Sequence, residues 1–186
     1  MVKVIVINGA GTSGKDTFID LFTEVCAEHG THSVYRFSSV DKVKYFATCM
    51  GWDGVKDDKG RRFLSDIKDA MTRYNDAPFE YMNSMVNELK SYGENCFVFF
   101  HVREPEEIHK MVSRLNASTL FIERPSVKSD SFTNHADKNV ENYHYQYHVM
   151  NDGTLLDLKD QAIYLYHLLE QEVAMNASPK AELQAT

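Results

Sequence analysis

Nine residues near the amino terminus, Gly9-Ala10-Gly11-Thr12-Ser13-Gly14-Lys15-Asp16-Thr17, constrain this chain more than any other stretch. They follow an apolar, largely β-branched run, Val2 to Asn8, which reads as a buried strand. They open a helical pattern from Lys15 to about His29, with Phe18, Leu21, Phe22 and Val25 at helical spacing and His29-Gly30 as a stop. Strand, glycine-rich turn and helix together make a cradle for phosphate. The glycines let backbone N–H groups turn inward, the helix start carries partial positive charge, and a lysine reaches the outer phosphates.

Gly9, Gly14 and Lys15 stand at the GxxxxGK[ST] spacing. Asp16 departs from it, standing where a hydroxyl residue normally meets Mg²⁺. A carboxylate is a good hard-oxygen ligand, so Asp16 is a candidate metal ligand, with Thr17 or Ser13 as further contributors. Gly9, Ala10, Gly11, Thr12, Ser13, Gly14, Lys15, Asp16 and Thr17 are the candidate nucleotide-binding set.

The remaining pattern alternates strands and helices. Ser33 to Ser38 predicts a second strand and residues 41–50 a helix. Gly51 to Gly54 predicts a turn, Val55 to Arg62 a charged loop or helix start, and Phe63 to Tyr74 and Pro78 to Tyr92 two helices. Cys96 to Val102 predicts a third strand, Glu106 to Leu115 a short helix, and Ser118 to Glu123 a fourth strand. Tyr143 to Met150 predicts a fifth strand, and Leu155 to about Val173 a final amphipathic helix. Such alternation implies an α/β fold, a parallel sheet covered on both faces, with ligands at the carboxyl ends of the strands. The loop, Arg103-Glu104, Arg124 and Asn151-Asp152 all fall just after predicted strands. The polar stretch 124–142 reads as an excursion from the core, and the polar tail from Asn176 as a frayed end.

Composition bounds the function. The 186 residues, 43% hydrophobic and 25% charged, suit one domain with a sizeable core. A net charge of −7 argues against a general nucleic-acid binder. No apolar run approaches the roughly 18 residues that span a membrane. The three cysteines form no CxxC pair, which disfavours a disulfide framework or zinc site and suits a reducing cytoplasm. An anionic substrate would need placed cations. Lys56, Lys59, Arg61 and Arg62 cluster before a helix, Arg103 ends the third strand, and Arg124 and Lys128 stand at the mouth of the excursion, where they would close as a lid. His144 and His148 lack an evident third ligand. Tyr143, Tyr145 and Tyr147 read as a packed strand face, and Trp52 as a loop anchor.

On these residues the chain resembles the nucleoside monophosphate kinase superfamily and, within it, the phage-type deoxynucleoside monophosphate kinases. The resemblance is carried by Ser13 to Thr17 (SGKDT), Trp52-Asp53-Gly54 with Lys56-Asp57, and Lys59-Gly60-Arg61-Arg62. Val102-Arg103-Glu104 and Asn151-Asp152-Gly153-Thr154-Leu155 complete it. It implies a five-stranded parallel core, an acceptor-binding helical region at about 41–93, and a short lid at about 124–142, within one domain over 1–175. ATP and Mg²⁺ are the implied cofactors. Lys15 would hold the donor phosphates, and Asp16 or Thr17 the metal. Lys42, Lys59, Arg61, Arg62, Arg103 and Glu104 would bind the acceptor, with Arg103 and Arg124 acting on the transferring phosphate. Asn151, Asp152 and Gly153 would lie near the adenine. The acceptor would be a small nucleotide, and a homodimer is compatible with the chain. The SGKD form also occurs in animal-type phosphomevalonate kinases, which keeps that acceptor open, and a non-catalytic nucleotide-binding module would keep the loop. A guanine-reading NKxD is absent, and the third strand does not end in the Asp expected of a motor ATPase.

Overall fold

β-Branched side chains pack well on a pleated surface, and Val2–Asn8 accordingly forms the first strand, β1. The structure, a computed structural model, describes residues 1–30, 32–126 and 143–177. Along them follow α1 (Lys15–His29), β2 (Ser33–Ser38), α2 (Asp41–Cys49), α3 (Asp58–Asn75) and α4 (Ala77–Ser91). Then come β3 (Cys96–His101), α5 (Pro105–Leu115), β4 (Ser118–Glu123), β5 (Tyr147–Met150) and α6 (Leu155–Ala177). The five strands form one sheet in the order β2-β3-β1-β4-β5, and every pairing is parallel. The expected α/β architecture, a five-stranded parallel sheet with helices on both faces, is what the chain adopts.

Successive strand residues face opposite sides, and the core divides accordingly. Ile5, Ile7, Phe97, Phe99, Leu120 and Ile122 pack under α1 and α6. Val4, Val6, Val98, Phe100 and Phe121 pack under α4 and α5. Phe22 of α1 shows how tightly the first layer closes. It is fully buried and meets Phe97 and Phe99 edge-on, with both ring centroids 5.2 Å away.

The strand order places the site. β1 leads through α1 to β2 on one side, whereas β3 leads through α5 to β4 on the other. The connections therefore diverge above the carboxyl ends of β1 and β3, the crevice where open α/β sheets take their ligands. Ile7 pairs with His101, and His101 in turn with Ser38. The ends of β1, β3 and β2 thus lie side by side.

Several element boundaries differ from expectation. β5 begins at Tyr147, four residues later than predicted, because register sets Leu120 opposite Tyr147 and leaves only Leu120 to Glu123 to pair with it. The preceding Gln146 donates its N–H to the Thr119 hydroxyl. Tyr143 and Tyr145 consequently pack with the α4–α5 layer and Tyr147 with the α1–α6 layer, so the three tyrosines do not form one strand face. α3 starts at Asp58, because the Asp57 carboxylate accepts the Gly60 N–H at 2.7 Å and caps it. α6 runs through Ala177, beyond the expected end and into the expected tail. Most of the expected lid, with Lys128 and Lys138, and the tail from residue 178 lie outside the described residues. No helix among the described residues is long and apolar enough to cross a membrane.

Candidate functional site

The loop between β1 and α1 is shaped by its glycines. Gly9 has φ 147° and Gly14 φ 96°, both costly for a side-chain-bearing residue. A Cβ on Gly9 would lie 2.3 Å from the Ile122 carbonyl oxygen. A Cβ on Gly14 would lie 2.3 Å from the Asn151 amide nitrogen. Thr12, at φ 62°, holds a left-handed conformation without being glycine, a strain that proteins retain mainly at functional segments.

Three long-range contacts brace this loop. The Asn8 side chain accepts from Gly9 N–H at 2.8 Å and donates to the Tyr145 hydroxyl at 2.7 Å and the Arg103 carbonyl at 3.3 Å. One amide thus joins the loop's first residue to the end of β3. Burial pushes the Tyr145 hydroxyl well above the usual phenol range, so it stays protonated. From the far side, Asn151 donates to the Ser13 carbonyl at 2.8 Å, and its own N–H donates to the Glu123 carbonyl. Asp157 accepts from both the backbone and the hydroxyl of Thr154 at 2.7 Å, and Asp157 N–H donates back to that hydroxyl at 3.3 Å. This reciprocal cap starts α6 beside the loop.

The groups inside the loop suit a phosphate. Lys15 Nζ donates to the Gly9 and Ala10 carbonyls at 2.8 and 2.7 Å, which holds the ammonium across the loop. The Ser13 hydroxyl is buried with no hydrogen-bond partner among the described residues, a group whose desolvation is uncompensated by the protein alone. The first N–H groups of α1 lack intrahelical acceptors by geometry. An ammonium, an orphaned hydroxyl and a helix start facing one glycine-lined turn fit the nucleotide phosphates expected there.

Asp16 and Thr17 are exposed on the first turn of α1, directly after the loop. Among the described residues no group of three or more His, Cys, Asp or Glu is placed to hold a metal unaided. Magnesium at nucleotide sites takes one or two protein oxygens and fills the rest with phosphate and water, so the donor set fits.

Two side chains missed in the sequence stand beside Asp16. Arg36 of β2 places Nη1 3.3 Å from Oδ1 of both Asp16 and Asp20, one helical turn apart on α1. His101, the last residue of β3, places Nε2 3.4 Å from Asp16 Oδ1, without the direction of a hydrogen bond. Its pKa is lowered, chiefly by burial; Asp16 opposes that, and Lys15 and Arg36 reinforce it. A histidine closing an otherwise apolar strand at the carboxyl edge of the sheet was the available signal. Arg36, inside the predicted second strand, offered none.

The structure brings Lys15, Asp16, Thr17, Arg103 and Asn151 to one edge, with Arg103 and Arg124 both exposed after their strands. Glu104 caps the amino end of α5 by position. Asp152 and Gly153 form the turn into α6, where Asp157 lies against Gly153. Lys42 lies on α2 with Nζ 5.8 Å from the Tyr81 ring centroid. Lys59, Arg61 and Arg62 sit on the first turn of α3, where Arg61 Nε is engaged with the Lys56 carbonyl at 2.9 Å. Trp52 anchors this turn through Nε1–H donated to the Val55 carbonyl at 3.1 Å, beside buried Gly60. His144 and His148 are exposed, His148 beside the Phe121 and Tyr145 rings.

No protein-family model matches the chain, and no curated protein sequence matches it. Solved structures do. The APS kinase of Mycobacterium tuberculosis, as a cysteine-to-alanine mutant, aligns with TM-score 0.51 and 14% identity over 90% of this chain and 96% of that one. The same kinase in complex with AMPPNP and APS aligns with TM-score 0.50 and 14% identity over 90% and 97%. A shikimate kinase from Aquifex aeolicus is a looser match, at 0.48 and 16% over 94% and 99%. The likeness in fold rests on the first two, and with the strand–loop–helix geometry it gives the chain the fold of the P-loop kinases.

Proposed function

We propose that the chain transfers the γ-phosphoryl group of ATP to the phosphate of a (deoxy)nucleoside monophosphate, releasing ADP and the nucleoside diphosphate. The observation that carries the reading is the Gly9–Thr17 loop, with Lys15 across it and a buried, unpartnered Ser13 hydroxyl inside it. The aligned APS kinase, whose structure contains AMPPNP and APS, supports a nucleotide donor. The cationic residues of the acceptor side, Lys42, Lys59, Arg61, Arg62 and Arg103, support an anionic acceptor.

An acceptor phosphate is ionised at neutral pH, so its oxygen attacks the γ-phosphorus without a general base, and the bond to the β–γ bridging oxygen breaks. Lys15 and the loop N–H groups hold the donor phosphates. Arg103 and Arg124 offset charge on the transferring group, and Asn151 to Gly153 border the adenine. Asp16 or Thr17 would hold Mg²⁺, which would supply charge neutralisation when bound. Catalysis is therefore positioning and electrostatics.

A coupled ADP-release assay tests this with ATP alone and with each of a panel of NMPs, dNMPs and phosphomevalonate. Release that depends on a nucleoside monophosphate is expected. Release only with phosphomevalonate moves the acceptor to that class, and none with any acceptor leaves a nucleotide-binding module. Lys15→Ala should lower turnover roughly 100-fold or more while acceptor binding changes little; unchanged turnover would sink the assignment.

A further inference from the structure

Asp16 stands on an exposed first turn, 76% exposed as a side chain, where a free carboxylate would sample several rotamers. Its neighbours remove that freedom unevenly. Arg36 Nη1 lies 3.3 Å from Oδ1, and His101 Nε2 lies 3.4 Å from the same oxygen on the sheet side. Among the described residues Oδ2 makes no hydrogen bond. Asp20, one turn further along α1, holds the same Arg36 nitrogen at 3.3 Å, so the guanidinium is fixed by two carboxylates. A single guanidinium between two carboxylates also leaves one negative charge uncompensated.

We infer that Arg36 is a positioning residue, which with Asp20 behind it fixes the Asp16 carboxylate by Oδ1 and presents Oδ2 to the divalent cation of the nucleotide. This rests on the proposed phosphoryl transfer and adds a partner behind the metal ligand, of the kind that orients ligating carboxylates elsewhere. Arg36 belongs to the exposed edge strand β2, so its substitution leaves the core intact.

The test is Mn²⁺ binding to the full chain with AMPPNP bound, read from the electron paramagnetic resonance of free Mn²⁺, with circular dichroism as the check on folding. Arg36→Met should weaken Mn²⁺ about 10-fold and leave metal-free AMPPNP affinity unchanged. Arg36→Lys should restore most of the loss. Mn²⁺ affinity equal to the parent in Arg36→Met, or tighter because a cation has gone, overturns the role, as does an Arg36→Lys no better than Arg36→Met. Acceptor-dependent ADP release by the parent chain, with Mn²⁺ affinity unaffected in Arg36→Met, would uphold the proposed function and remove only this inference. Failure of the parent chain to bind AMPPNP would overturn both.

Discussion

At the residue scale, Gly14 serves two demands that no other residue meets together. Its φ of 96° turns the chain into α1, and the Asn151 amide nitrogen lies 2.3 Å from where a Cβ would be. Gly14→Ala should destabilise the protein by about 1–3 kcal/mol, read from denaturant unfolding. Combining it with Asn151→Ala should recover part of that loss, since the clash goes while the backbone strain stays. A cost identical in both backgrounds would show that Asn151 does not press on the loop. The loop was legible from its residue types, because glycine spacing and lysine are read locally. What residue types did not announce is that the Asn151 amide donates to the loop's own Ser13 carbonyl. That contact spans more than a hundred residues and has no local signature.

At the element scale, periodicity predicted each strand and helix from burial, and it failed where neighbours set the boundary. α1 is typical of what can be read. Phe18, Phe22 and Val25 fall on one face and are all fully buried, and Gly30 at φ 66° ends the helix. Phe22→Ala should therefore cost about 3–5 kcal/mol in chemical denaturation. A loss below 1 kcal/mol would mean that the layer collapses around the gap. β5 is the opposite case. Its residues alternate from Tyr143, but strand length belongs to the pair, and β4 offers only Leu120 to Glu123. α3 likewise begins earlier than its apolar period because Asp57 caps it, and the apolar period alone carries no record of that hydrogen bond.

At the scale of the whole molecule, the sheet has two chemically different ends. The carboxyl end gathers the loop, Arg36, His101 and Arg103. The amino end holds a polar network in which Lys3 of β1 pairs with Glu172 of α6 at 2.7 Å. Glu172 also accepts from Ser118 at 3.3 Å and from the Gln146 and Tyr147 side chains. Burial alone would raise the Glu172 pKa, but hydrogen bonds from Lys3, Tyr147 and Ser118 outweigh it and hold it below its ordinary 4.5. A depressed carboxylate stabilises the fold above its unfolded pKa and loses that contribution as pH falls through the folded value. Thermal stability should thus decline below about pH 4.5, and Glu172→Gln should flatten that decline; an unchanged acid slope would exclude Glu172 as its source. By itself the sequence determined the layer architecture and the phosphate loop, because hydrophobic period, glycine and lysine placement act over neighbouring residues. Only the tertiary structure decided what stands around Asp16. Arg36 and His101 come from β2 and β3, and parallel pairing through long crossovers brings them to α1, where Asp20 stands one turn from Asp16.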